Sequence, residues 1–587
     1  MVAMRSANFL SLVAAVALLV AAALPCPAAG RSSVDLVLIN GHVITVDAED
    51  SIAEAVAISG GRVIALGSNA DIRRMVGHGT RVIDLNGRTV TPGLIDTHAH
   101  ISLEGLNALY SLSLADAHSI AEIKELVAAR VKRLRPGEWL RGSGWDEGKL
   151  TERRTVTAQD LDEASPRNPV WLEHTTIHYG VANSLALKLV DITSDTPDPP
   201  AGTIDRDATG RPTGVLKEAA QDLVTGRLPP WTLEQRRAGI RASLDLMHRE
   251  GMTGVKDPAI AEQDWEAYRS LDQHGQLPAH VCVLWRVGKT FADAQALLQR
   301  VAQLPKPPAT LDGGNLISCG VKIFMDGSGG APTAWVYDDW HRKSVELDVG
   351  NKGYPALDPQ VYRDQVRLFH NAGFHIGTHA IGDRAIDWVV DTYAQVLADK
   401  ATHGLRHSII HANIPTDHAI ETMARLQREY DAGYPESQPP FLWWIGDLYA
   451  GTFGPERALR LNPFHTYLDH QIRWTAGSDY GVTPLPARYG LWASVARETL
   501  LGTYGRRPFG TQESVDIRTA MRSYTAWAAR QLFIEGEAGS LEPGKSADIA
   551  VWDRDPYQAA TADLKEMHCL LTLFRGRIVY EDPAFPR

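Results

Sequence analysis

The chain has 587 residues, 44% of them hydrophobic and 22% charged, and carries a formal net charge of −11 from 59 Lys and Arg against 70 Asp and Glu. Such a composition builds a large core and excludes a disordered, collagen-like or polytopic membrane chain, and an acidic balance without basic runs disfavours a nucleic-acid partner. Four cysteines exclude a disulfide-built scaffold, whereas 21 histidines are ample for metal ligation, and length alone predicts about four domains at roughly 150 residues each.

Residues 1–30 begin with Arg5, continue through the apolar run FLSLVAAVALLVAAAL and end in Cys26, Pro27, Ala28, Ala29 and Gly30. This is the layout of a secretory signal peptide, and the run is shorter than the ~20 residues that span a bilayer. The mature chain is therefore expected to be exported, periplasmic or secreted, with no stable membrane association. Its three remaining cysteines, Cys282, Cys319 and Cys569, are read as mostly free buried thiols, with Cys282 and Cys319 on predicted strands that can lie near each other.

Residues 34–90 alternate in short apolar runs broken by Gly-Gly and Asn-Gly, the signature of hairpins, and the texture returns after residue 540. The two ends are expected to form one β-sandwich, from 31–92 and 535–587. Between them strands alternate with amphipathic helices such as TLEQRRAGIRASLDLMHRE, which stops at Gly251. Repeated βα units predict a (β/α)8 TIM barrel over 93–534 rather than a doubly wound sheet. The stretch from about 130 to 230 breaks that rhythm with short β-like runs and Pro-rich turns, and is assigned as an inserted cap.

The strongest local signal is LIDTHAH, residues 94–100. On a strand residues i and i+2 share a face, so His98 and His100 can grip one metal together. His379 in THAIGD, His411 in HSIIHANI and Asp479 in GSDYGV each close a predicted strand, where barrel enzymes place their chemistry. Singly each reads as a hydrogen-bonded core histidine or a capping aspartate; as an ordered series after the His pair they read as ligands. Lys322, in GVKIFMDGS, is costly on a buried strand if charged. It reads either as a carboxylate-paired lysine or as an N-carboxylated lysine, an anionic ligand able to bridge two cations.

His98-x-His100, Lys322, His379, His411 and Asp479, in that order between two β segments, resemble the amidohydrolase superfamily. The stretches GWDE, HYGVANSLAL, PTGVLKE, VKIFMDGSGGAPTAW, THAIGD and GSDYGV resemble its YtcJ-like branch (amidohydrolase 3), which includes N-substituted formamide deformylases. The likeness extends over residues 33–585. It implies a barrel with a composite β-sandwich and one or two divalent metal ions, commonly zinc. It also implies His98, His100 and Asp479 on the first metal, His379 and His411 on the second, and carboxylated Lys322 between them. Asp479 would take a proton from the attacking water and pass it to the leaving nitrogen, so that the C–N bond of an amide is hydrolysed.

The expected partner is a small amide-type substrate, and a homodimer is allowed. His178, in TIHYGVANS, resembles a position that reaches the site from the inserted region; Trp145, Trp285, Trp335 and Trp340 lie near predicted strand ends or insertions, where they line a bulky apolar pocket or simply fill the core. His274, His280, His370, His403, His407, His418, His465, His470 and His568 lack strand-end placement and are given no role. Three rival functions remain on the sequence alone. A glycoside hydrolase would use paired carboxylates such as Asp326 and Asp479 but leaves the histidines unexplained; an exported, non-catalytic binding protein would not need Asp479; an ester or lactone hydrolase would use the same centre.

Overall fold

The computed structural model describes residues 34–340, 350–502 and 509–585. The predicted signal peptide, residues 1–30, lies outside them. Eight parallel strands form the central sheet: β1 (Leu94–Asp96), β2 (Met252–Ile260), β3 (His280–Arg286), β4 (Leu316–Phe324), β5 (His375–Ala380), β6 (Ser408–His411), β7 (Tyr434–Ser437) and β8 (Thr475–Ala476). They are hydrogen-bonded in chain order. Just past β1, Thr97 donates its N–H to the Ala476 carbonyl at 3.1 Å and its hydroxyl meets that of Thr475 at 3.0 Å, which brings the two edges together. The expected (β/α)8 barrel is therefore the architecture found.

Burial on both faces explains why the strands read as continuous apolar runs rather than alternating ones. In β4, LISCGVKIF, eight consecutive residues are buried. The helices between strands carry explicit start signals: Thr232 and Gln235 form a capping box ahead of Leu233–Arg249, and Asp358 with Pro359 opens Pro359–Asn371. Inside the barrel, Ile95, Leu284, Ile317, Ile410, Ala528 and Leu532 form an apolar plug. The Lys256 ammonium and the Glu436 carboxylate, in register with Cys282 and Ile410 of that plug, pair beside it, both fully buried.

The free-thiol reading of the cysteines is corrected here. Cys282 and Cys319 form a disulfide across β3 and β4, and among the described residues Cys569 alone is a free, buried thiol. Cys282 is paired in register with Ile317, and Cys319 is the unpaired residue of a β-bulge between Ser318 and Gly320, packed in the same apolar cluster as Cys282. Which strands pair and where the bulge falls fix that neighbour, and neither is written in either cysteine's local sequence.

Between β1 and β2 the chain builds a separate six-stranded sheet, from Leu112–Ser113 through Pro212–Glu218. It leaves along helix Ile101–Tyr110 and returns along helix Leu233–Arg249. These two helices touch at Gly105 and Gly239: a Cβ on Gly105 would lie 1.9 Å from the Gly239 carbonyl oxygen. The small residues let the helices approach closely, so an insertion of this length enters and leaves the barrel at one point. The terminal segments form two further sheets, and in one of them the C-terminal strand Ile549–Trp552 pairs antiparallel with the N-terminal strand Thr89–Pro92. Leu38, Val43, Ile58, Val90, Val551 and Leu573 fill the space between the sheets. Among the described residues no helix is long and apolar enough to cross a membrane.

Candidate metal centre

His98 and His100 lie just beyond β1 rather than on it. Asp96, the last residue of β1, accepts the His98 N–H at 2.8 Å and the Ser478 N–H at 2.9 Å, and so locks the segment after β1 to the segment after β8. Lys322 is on β4, His379 is the penultimate residue of β5, His411 ends β6, and Asp479 stands three residues past β8. His411 (φ 75°) and Asp479 (φ 54°) both occupy the left-handed region. For non-glycine residues this costs on the order of 1–3 kcal/mol each, a strain that proteins keep mainly where side-chain direction matters for function.

The six groups converge. His100 Nε2 is 3.1 Å and His98 Nε2 3.6 Å from Asp479 Oδ1, and His411 Nδ1 is 4.0 Å from Oδ2. Lys322 Nζ is 3.5 Å from His98 Nε2, and the His379 and His411 rings are 4.5 Å apart between centroids. His98, His411 and Asp479 each offer a ligand atom within 4.8 Å of the others, and all three are buried. His379 donates Nε2–H to the Gly327 carbonyl at 3.0 Å, which leaves Nδ1 as its lone-pair atom; His411 Nδ1 meets Gln438 Oε1 at 2.6 Å, which leaves Nε2. A histidine whose other nitrogen is held by an oxygen acceptor is the arrangement metal ligands adopt, because it fixes the tautomer and ring direction.

The electrostatics agree with that donor set. Desolvation, reinforced by the neighbouring Lys322 charge, pushes His98 well below its ordinary value; desolvation does the same to His379 and brings His411 to about 3. All three are neutral and keep a lone pair at physiological pH. Burial works against the Asp479 charge, but His100, 3.1 Å from Oδ1, and the Lys322 charge outweigh it and hold the carboxyl below its usual range. Lys322 is brought down to about 7 by burial, with Asp479 and Glu436 opposing. A neutral amine is the form that can be carboxylated, so each residue of the set suits a divalent cation.

Of the predicted substrate contacts, only His178 reaches this cluster, its ring 5.1 Å from that of His379. The tryptophans have other neighbours. Trp145 is buried in the inserted domain, donating to the Leu172 carbonyl and packed on His174 and Tyr179. Trp285 alternates out of a strand whose Cys282 and Leu284 point inward, so it packs against Trp265 on the barrel's outside. The Trp335 ring lies under Arg384 and beside Trp388, and Trp340 stacks near Phe453. Position near a strand end did not specify which face these rings would take.

Three more residues stand near the centre: Gln438 and Phe441, absent from the expected set, and Asp326, expected only as half of a glycosidase-type carboxylate pair. Gln438, two residues beyond Glu436 in the stretch ESQPP, holds His411, and Phe441 stacks on the same ring at 5.7 Å. Asp326 accepts backbone N–H groups from Trp335, Ile381 and Gly382, lies 3.5 Å from His379 Nε2, and is raised to about 7 by burial. It is a loop anchor beside His379. A polar residue directly after a buried strand and before Pro-Pro was the available signal for Gln438; nothing local marked Phe441.

Residues 81–580 match the model of the amidohydrolase family. The chain belongs to the amidohydrolase family. It is 32% identical over 560 residues to the N-substituted formamide deformylase of Arthrobacter pascens, covering 93% of this chain and 98% of that protein. It is 27% identical to the putative amidohydrolase YtcJ of Bacillus subtilis, covering 92% and 98%. Among solved structures, an uncharacterised metal-dependent hydrolase from Pyrococcus horikoshii superposes with a TM-score of 0.69 at 24% identity over 90% of this chain and 99% of that one, a likeness of fold. The family makes this chain a hydrolase, and its buried group of metal-ligand residue types lies at the C-terminal ends of the barrel strands, where barrel enzymes place their chemistry.

Proposed function

We propose that the enzyme hydrolyses the C–N bond of a non-peptide amide, with an N-substituted formamide as the leading substrate class, on one or two zinc ions. The observation that carries this reading is the convergence of neutral His98 and His411 on an ionised, buried Asp479. The 32% identity to a protein named N-substituted formamide deformylase supports the substrate class. His98, His100 and Asp479 would hold one ion, His379 and His411 another, with Lys322 between them in its carboxylated form. A bound divalent cation supplies Lewis acidity toward the carbonyl and toward water. Asp479 accepts the proton on its carboxylate, oriented by His100 on Oδ1, and returns it to the leaving nitrogen. Export is part of the same reading: a buried disulfide is at home in an oxidising compartment.

The test is purification with metal quantification, then assay against N-alkylformamides, other N-acyl amides, esters and lactones. Zinc near one or two equivalents and preferential turnover of amides are expected, with activity abolished by a chelator and restored by zinc. Esters hydrolysed while every amide is refused would overturn the substrate class; a chelator-resistant activity would overturn the metal centre.

A further inference from the structure

His178 is held by a residue that no metal ligand touches. Its Nδ1 lies 3.1 and 3.0 Å from the two carboxylate oxygens of Glu218, the last residue of strand Pro212–Glu218. Glu218 also receives the Thr333 hydroxyl, on the loop after β4, and Thr333 Oγ1 in turn accepts the Ser328 N–H at 2.9 Å. The carboxylate is packed against Gly327, whose carbonyl fixes His379: a Cβ added to Gly327 would lie 2.4 Å from Glu218 Oε1 and 2.2 Å from Thr333 Oγ1. The contact is further braced by the Glu218 N–H to the His178 carbonyl at 2.8 Å, with Glu218 itself at φ 50°.

Two physical points give this arrangement meaning. A carboxylate that is only 13% exposed is expensive to bury unless paired, and among the described residues Glu218 has no Lys or Arg partner, only the imidazole and a hydroxyl. Charge pairing for stability is better served by arginine. Second, Nδ1 turned to a carboxylate carries its hydrogen there and leaves Nε2, without a protein partner among the described residues, on the ring edge away from Glu218, in a ring whose centroid is 5.1 Å from that of His379. The three residues come from two bodies, His178 and Glu218 from the inserted domain and Thr333 from the barrel.

We propose that Glu218 is a positioning residue: set by Thr333, it turns Nε2 of His178 toward the amide group of a substrate held at the metal centre. The inserted domain thereby supplies one hydrogen-bonding edge to a reaction whose other groups all come from the barrel. This rests on the amide reading above.

The test is a double-mutant cycle on kcat/KM with N-butylformamide, using Glu218→Gln, His178→Ala and the double variant, with metal content and Tm measured on each. Glu218→Gln is expected to lower kcat/KM roughly 10–100-fold at unchanged metal content, and the double variant to be no slower than His178→Ala alone, because coupled residues do not add. Thr333→Val is expected to show a smaller loss in the same direction. Multiplicative losses in the double variant, or a Glu218→Gln enzyme within about twofold of wild type, would overturn the proposal. A second readout needs no substrate: in the spectrum of [15N]histidine-labelled enzyme, the protonated Nδ1 signal that His178→Ala removes should shift in Glu218→Gln, and an unshifted signal would refute the orientation. Wild-type enzyme that hydrolyses p-nitrophenyl acetate but no formamide would refute the amide reading alone, and the same cycle on that ester would still decide the role of Glu218.

Discussion

Asp479 keeps a negative charge in a fully buried place because His100 and Lys322 face it from different parts of the barrel. Asparagine at this position has the same shape and none of the charge. Asp479→Asn is expected to lower kcat by about 10²–10⁴-fold, with Tm changed by only a few degrees, measured by steady-state kinetics beside metal analysis. A fully metal-loaded Asn enzyme with near-wild-type kcat would remove Asp479 from the chemistry. At this scale the sequence was most informative for residues whose chemistry is rare in a strand context: two histidines one residue apart, a lysine between valine and isoleucine, a Gly-Ser-Asp after an apolar run. It was least informative for Trp145, Trp285 and Trp335, because an indole is equally suited to a pocket wall and to a core, and only its face decides.

The disulfide belongs to the scale of elements. It joins β3 to β4 across a sequence separation of 37 residues, inside the apolar plug of the barrel. Closing a loop of that length restricts the unfolded chain, so Cys282→Ser/Cys319→Ser is expected to cost about 2–4 kcal/mol, read as a lower denaturation midpoint with unaltered kcat. Thiol titration of the denatured chain lacking residues 1–30 should find one reactive thiol before reduction and three after. A wild-type chain with three thiols before reduction would show the pair to be open. Elements whose periodicity is set by burial on both faces, such as β4, were legible as strands, and helix starts were legible from Thr232 and Asp358. Pairing between elements was not, since register is a property of two strands together.

Across the whole molecule, buried neutral histidines make the fold sensitive to acid at places remote from the metal centre. The Ile376 N–H points at His407 Nδ1, His407 Nε2 meets His370 Nδ1 at 2.9 Å, and His370 Nε2 meets the Lys400 carbonyl at 2.8 Å. With both rings neutral every nitrogen is satisfied; a proton added to either places two N–H groups face to face. Burial, then the nearby His370, lowers His407 to about 3. The folded value is depressed below the ordinary 6.5, so this pair has no pH-dependent effect above about 6.5 and destabilises the fold progressively as pH falls from there toward 3. His407→Gln should flatten the pH dependence of Tm in that window relative to wild type, although its Tm at pH 8 is lower. Parallel curves for the two proteins would show that the ring does not titrate on unfolding. These histidines carried no sequence signal because they sit on no strand-end motif.

The length that suggested about four domains is accounted for by one barrel, a sheet inserted after its first strand, one sheet of N-terminal strands and one built jointly from both ends of the chain. The sequence by itself determined the class of fold and the family, because alternating βα periodicity and an ordered set of metal-ligand residue types are local properties carried within short segments. Only the tertiary structure decided which side chains meet: that Cys282 bonds to Cys319, that Trp145, Trp285, Trp335 and Trp340 pack on side chains outside the ligand set, and that Glu218 closes on His178 against Thr333. Each of these depends on strand register, on which face a side chain takes, or on two bodies packing together, and none of those is encoded in the residues of one segment alone.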